Sequence, residues 1–295
     1  MRAAKVIANF LIFFALLMQQ SCDVSKNTEQ EKKGVTEEVF VEELRTITFR
    51  YKITNNTDRI VFNEYIKIPI LAQQFSRHSI KRIDANIKGH INSDKAERLT
   101  YDIAFERMLP NETKVVTISI LYSFQNNEVY NHDIALIDYL EETELMPYKG
   151  QSFSKVLSLL KAETQAETIS KTYRWVVQNM TYSGYIPQTY GAGYALKYRR
   201  GDCTEYMYLL AALLRGNGIP TRLVSGYVYS QNSIVSASDY HSWVEVGITE
   251  QWQVVDAQKQ HIGGDDSMYI PISYLDGKSS EKRYESSHNL TVAMF

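Results

Sequence analysis

The sequence predicts an α+β protein in which an antiparallel β-sandwich precedes a mixed domain of helices and antiparallel strands. Three observations predict it. Between residues 46 and 124 lie five strand-like runs, four of which place apolar side chains at every second position, the period of a half-buried strand. That alternation stops near residue 130, and Ala166, Ile169, Tyr173, Val177 and Met180 then recur at helical spacing. A second helix, opening on Cys203, precedes two short strands joined by a tight turn. The 295 residues are 44% hydrophobic and 22% charged, enough apolar mass for one or two real cores. With 32 lysines and arginines against 34 acidic residues, the net charge of −2 excludes a strongly basic nucleic-acid binder and a highly charged disordered chain. No nucleic-acid partner is therefore expected. Only two cysteines occur, Cys22 and Cys203, which excludes a disulfide framework and a multi-cysteine metal centre. No cofactor and no metal are expected.

The chain opens on a basic stretch, Met1 to Lys5, and an apolar run from Val6 to Met18 broken only by Asn9. Such a run is the shape of an export signal and is too short for a permanent membrane span. Leu17, Ser21 and Cys22 resemble a bacterial lipoprotein signal, in which the cysteine is acylated and becomes the new N-terminus; Gln19 and Gln20 depart from its strictest form. Residues 1–21 are read as signal peptide, with Cys22 as the lipidation site and the route to a membrane. The protein is thus placed outside the cytoplasm, in a bacterial cell envelope. Residues 22–38 are almost wholly polar and cannot bury enough surface to offset their ordering entropy, so they read as a flexible tether.

The β-sandwich is assigned to residues 39–130. Ile47, Phe49, Tyr51 and Ile53 alternate with polar neighbours, and the cluster Asn55 to Asp58 makes a turn. Further strands are read at 60–70, 83–87, 99–105 and 116–124. His78, His90 and His132 are scattered without metal spacing and are read as surface residues. Residues 131–164 are a linker and helical lead-in, and 165–262 the second domain. The 33 residues from 263 to 295 form a C-terminal extension without a functional account.

Within the second domain, Asp202 is a good N-cap and Glu205, three residues on, completes a capping box, so Cys203 falls in the first helical turn. Uncapped N–H groups and the helix dipole favour an anion there. A lone helical cysteine is nonetheless most often a small core residue. The downstream strands change that balance. Residues 241–246 and 252–256 form a hairpin that can bring His241 beside Asp256, although spacing alone does not fix the register. If the pair meets, Asp256 can hold the imidazole tautomer while His241 takes the proton of Cys203.

Gly201-Asp202-Cys203, the helix ending Leu213-Leu214-Arg215, Gly218 to Arg222, and Gly226-Tyr227 resemble the core of the transglutaminase-like superfamily. His241-Ser242-Trp243-Val244-Glu245, then Trp252 and Asp256, match its second and third blocks, and the upstream helix with Ile169, Trp175 and Tyr182 fits as well. The likeness implies a papain-like core, in which a cysteine-bearing helix packs on an antiparallel sheet. It implies Cys203 as nucleophile, His241 as general base and acid, and Asp256 as the orienting group. Trp243 either lines the cleft or fills the sheet face. No glutamine stands just before the cysteine, so the oxyanion donors are taken as the Cys203 N–H and one of Tyr182, Tyr185 or Gln188. Calcium dependence is not implied.

The expected function is a cysteine-dependent amide hydrolase or acyltransferase working through a thioester. Its substrate would be protein or peptide: a peptide, isopeptide or glutamine side-chain amide, with hydrolysis favoured. The alternative is a non-enzymatic envelope binding or assembly module on an inactive transglutaminase-like fold.

Overall fold

The computed structural model describes residues 43–73, 76–125, 139–248, 251–278 and 282–295. The signal, Cys22, the tether and His132 lie outside them. All described residues belong to one compact unit, Val41–Phe295. Among them, no helix is long and apolar enough to cross a membrane.

The protein is mixed α+β. Six strands build the first half: β1 (Glu43–Asn55), β2 (Val61–Ala72), β3 (His78–Ala85), β4 (His90–Ser93), β5 (Arg98–Met108) and β6 (Thr113–Phe124). The period-two alternation at Ile47, Phe49, Tyr51 and Ile53 is the buried face of β1, and Val116, Ile118, Ile120 and Tyr122 are that of β6. One sheet runs β3-β6-β1, the other β4-β5-β2, and their inner faces share one core with Ile66, Ile68, Ile103 and Phe105. The Tyr122 hydroxyl crosses between the sheets to donate to the Ile70 carbonyl at 2.6 Å. His78 departs from the surface reading: it is buried, and its Nε2 bonds the Ser267 carbonyl at 2.9 Å.

The second half begins with α1 (Gln151–Leu160) and α2 (Gln165–Asn179), then β7 (Thr181–Tyr182), α3 (Gly191–Tyr198), β8 (Arg200–Gly201) and α4 (Cys203–Gly216). Strands β9 (Thr221–Val228), β10 (Ser233–Ile234), β11 (His241–Ile248), β12 (Gln251–Asp256) and β13 (His261–Ile262) follow. Helix α4 packs on β9 and β11, and its Leu209 to Leu214 are sealed between that sheet, α1, α2 and α3.

The C-terminal residues complete both halves. β14 (Tyr269–Leu275) is the edge strand of the sheet β13-β12-β11-β9-β14. β15 (Glu285–Ser286) pairs with β2, and β16 (Leu290–Met294) pairs antiparallel with β1 from Tyr51↔Met294 to Asn55↔Leu290. The short β10 adds to β1 in parallel. The sheet that holds His241 and Asp256 therefore extends past residue 262, and the sandwich sheets draw strands from 233–234 and 285–294.

Candidate active site

Asp202 ends the short parallel pairing of β7 with β8 and caps α4: its Oδ1 accepts the Thr204 N–H at 2.8 Å, and Glu205 Oε2 accepts the Asp202 N–H at 3.2 Å. The capping box starts the helix at Cys203, which is half-buried and therefore reachable. As the first helical residue, Cys203 has an N–H without an acceptor in its own helix, aimed out of the N-terminus.

The antiparallel register Val244↔Val255 sets the partner of the thiol. Continued by one step, it brings Asp256 opposite Trp243 and one diagonal from His241, within side-chain reach. His241 Nε2 lies 2.6 Å from Asp256 Oδ2, and both residues are buried. The Cys203 thiol hydrogen-bonds the same imidazole. With Nε2 committed to Asp256, Nδ1 is the nitrogen left for Cys203. Burial alone pushes the His241 pKa down, but the hydrogen bonds to Asp256 and Cys203 and the two negative charges outweigh it and raise the pKa to about 9. The imidazole is then protonated at neutral pH.

Asp256 is satisfied on every side. Its Oδ1 accepts the backbone N–H groups of Gln258 and Lys259, each at 3.0 Å. Its Oδ2 accepts, besides His241, the hydroxyl of Tyr269 at 3.2 Å. Tyr269 comes from β14, a segment the sequence left without a role. Pro271 within that stretch argues against a strand interior; here it sits on an edge strand beside a register shift, where proline is tolerated. Signs of this partner are absent from the sequence, because nothing in the spacing 256–269 ties the two side chains together.

The other residues singled out from sequence fall into different places. Trp243 is 1% exposed, so it does not line an open cleft. It fills the sheet face with Val224, Val254 and Tyr269, and its ring stacks on His241 at 6.2 Å. Tyr182 is half exposed and pairs by backbone with Gly201, two residues before Cys203; burial first, then the neighbouring Cys203 and Asp202, push its phenol pKa up. Tyr185 and Gln188 are exposed in the loop between β7 and α3.

That loop is held by the same two carboxylates that cap α4. Asp202 Oδ2 accepts the Ile186 N–H at 3.0 Å, and Glu205 Oε1 accepts the Tyr190 N–H at 2.9 Å. Glu205 is fully buried, and burial pushes its carboxyl pKa up. Gly201 makes room for it, since a Cβ at position 201 would overlap Glu205 Cβ.

Residues 155–257 match the model of the transglutaminase-like superfamily. The UPF0252 protein MJ1282 of Methanocaldococcus jannaschii is 25% identical over 149 residues, 47% of this chain. The chain spans 41% of the length of that relative. Among solved structures, a candidate cysteine protease from Cytophaga hutchinsonii superposes with a TM-score of 0.54 at 16% identity, covering 86% of this chain and 92% of its own. The periplasmic domain of TgpA from Pseudomonas aeruginosa gives a TM-score of 0.38 at 17% identity, over 72% of this chain and 90% of its own.

Proposed function

We propose that this transglutaminase-like domain is a working cysteine enzyme that cleaves amides through a thioester, acting on protein or peptide outside the cytoplasm. One observation carries the reading: an accessible thiol at a helix N-terminus, a buried imidazole and a fully satisfied carboxylate form one hydrogen-bonded series, Cys203–His241–Asp256. A structural cysteine needs neither the base nor the orienting group.

In this mechanism the proton shared between Cys203 and His241 rests on His241 Nδ1, and the sulfur attacks the amide carbonyl carbon. The carbonyl oxygen takes the negative charge and is met by the Cys203 N–H, with the Tyr182 hydroxyl as the second donor. As the C–N bond breaks, His241 returns the proton to the departing amine and leaves an acyl thioester. His241 then deprotonates a water that attacks the thioester, and the proton goes back to sulfur. An amine in place of that water gives cross-linking. Hydrolysis is favoured by the likeness to the Cytophaga candidate protease. The signal-like N-terminus supports placement in the envelope through acyl chains on Cys22, and Cys22→Ala is expected to move the protein from the membrane to the soluble fraction.

The test is peptide-resolved alkylation of Cys203 by iodoacetamide near neutral pH, read by mass spectrometry. Cys203 is expected to label rapidly, and His241→Ala to slow it by about 10²-fold or more. Cys203→Ala abolishes capture of an acyl-enzyme from an envelope extract. Labelling at the same rate with and without His241 would instead assign the domain to the non-enzymatic binding or assembly class.

A further inference from the structure

Asp256 Oδ2 serves two donors. The His241 Nε2–H approaches at 2.6 Å and the Tyr269 hydroxyl at 3.2 Å. Tyr269 is held so that its hydroxyl has little freedom to leave. Its ring meets Trp243 edge-on at 5.1 Å and His261 at 5.0 Å. Its N–H donates to the Asp266 carbonyl at 2.9 Å. Asp266 is in turn fixed by Arg77 from the sandwich half and by His261, each at 2.8 Å. The hydroxyl thus reaches the orienting carboxylate from a frame anchored in both halves of the protein.

We propose that Tyr269 is a positioning residue for the acid–base step: by sharing Asp256 Oδ2, its hydroxyl limits how firmly Asp256 retains the proton on His241. The inference rests on the catalytic reading above. A carboxylate oxygen that accepts a second hydrogen bond spreads its charge and attracts the imidazolium less. An imidazolium held too tightly is a poor acid toward the leaving amine, so the shared oxygen favours the proton's return. The titratable groups around this centre are Cys203 of α4, Tyr173 of α2, Asp256 of β12, His261 of β13, and Asp266 and Tyr269.

The test is the titration midpoint of the His241 imidazole, followed by NMR on the isotope-labelled full chain. Tyr269→Phe keeps the ring contacts and deletes only the donor, and the midpoint is expected to rise by about half to one pH unit. Tyr274→Phe, the same deletion on the same strand, is expected to leave it unchanged. A more acidic phenol, 3-fluorotyrosine placed at position 269 by codon suppression, is a stronger donor and is expected to lower the midpoint. It also retains the full side chain should the phenylalanine variant not fold. A midpoint that stays put in both 269 variants, or moves with the opposite signs, overturns the proposal. Cys203 alkylation in wild type and His241→Ala is run beside it. Loss of His241 dependence there defeats the catalytic reading, whereas unmoved midpoints with that dependence intact defeat only the role of Tyr269.

Discussion

Asp202 and Glu205 each accept hydrogen bonds from two directions, and that double duty places Cys203 at the start of α4. One set of N–H groups belongs to the start of α4, the other to the loop that runs to Tyr190 and Gly191. Asp202→Ala removes the acceptor of both the Thr204 and Ile186 N–H groups and is expected to cost about 2 kcal/mol, the upper range for losing a cap, measured by urea unfolding. The same variant should become sensitive to limited proteolysis between residues 183 and 190. Asp202→Asn retains an oxygen for Thr204 and is expected to stay within about 0.5 kcal/mol of wild type. The capping box is plain in the sequence because it is local, three residues apart. The hold on the loop is not, because the donors are backbone groups some fifteen residues upstream and any residue type supplies an N–H.

Strand β14 shows the same contrast one level up. Gly226 of β9 faces Ile270 so closely that an added Cβ would overlap the Ile270 carbonyl and crowd the Trp243 ring. Gly226→Ala must therefore push β14 off β9, and a loss of about 1–3 kcal/mol is expected from such overpacking, read as a lower denaturant midpoint. Because Tyr269 heads β14, the variant should also slow Cys203 alkylation, whereas a purely global loss would leave the rate of the folded fraction unchanged. β1, β5 and β6 are legible from sequence since one face is buried and the other wet, which imprints the alternation. β14 is buried on both faces for five residues and carries Pro271, so it has no alternation to read and a residue that argues against a strand. His241 and Asp256 were legible as candidates through residue types and a hairpin; their contact waited on a register that only the folded sheet fixes.

At the scale of the whole molecule, two buried histidines give stability opposite slopes with pH. His241, raised to about 9 from 6.5, binds its proton more tightly when folded, so its contribution is full below pH 6.5 and is lost as pH rises through about 9. His78 is lowered to about 4, chiefly by burial and further by Arg77 and Arg45, so its contribution is present above pH 6.5 and lost as pH falls towards 4. Each limb is worth roughly 3 kcal/mol at most, and unfolding free energies measured from pH 4 to 9 should peak near 6.5. His78→Gln should flatten the acid limb and His241→Ala the alkaline one; a limb unchanged by its own substitution would show that another group sets it. The pairing of β16 with β1 has a further meaning for how the protein is made. Residues 51–55 leave the ribosome early and find β6 on one side, yet gain their second neighbour only when residues 290–294 follow, and Tyr269 emerges only shortly before. Nascent chains arrested short of residue 290 should be digested throughout, while chains carrying it become protease-resistant in one step. The sandwich stands first in the sequence, yet β1 gains its second neighbour only from β16, so residues far downstream of the thiol finish the half that precedes it.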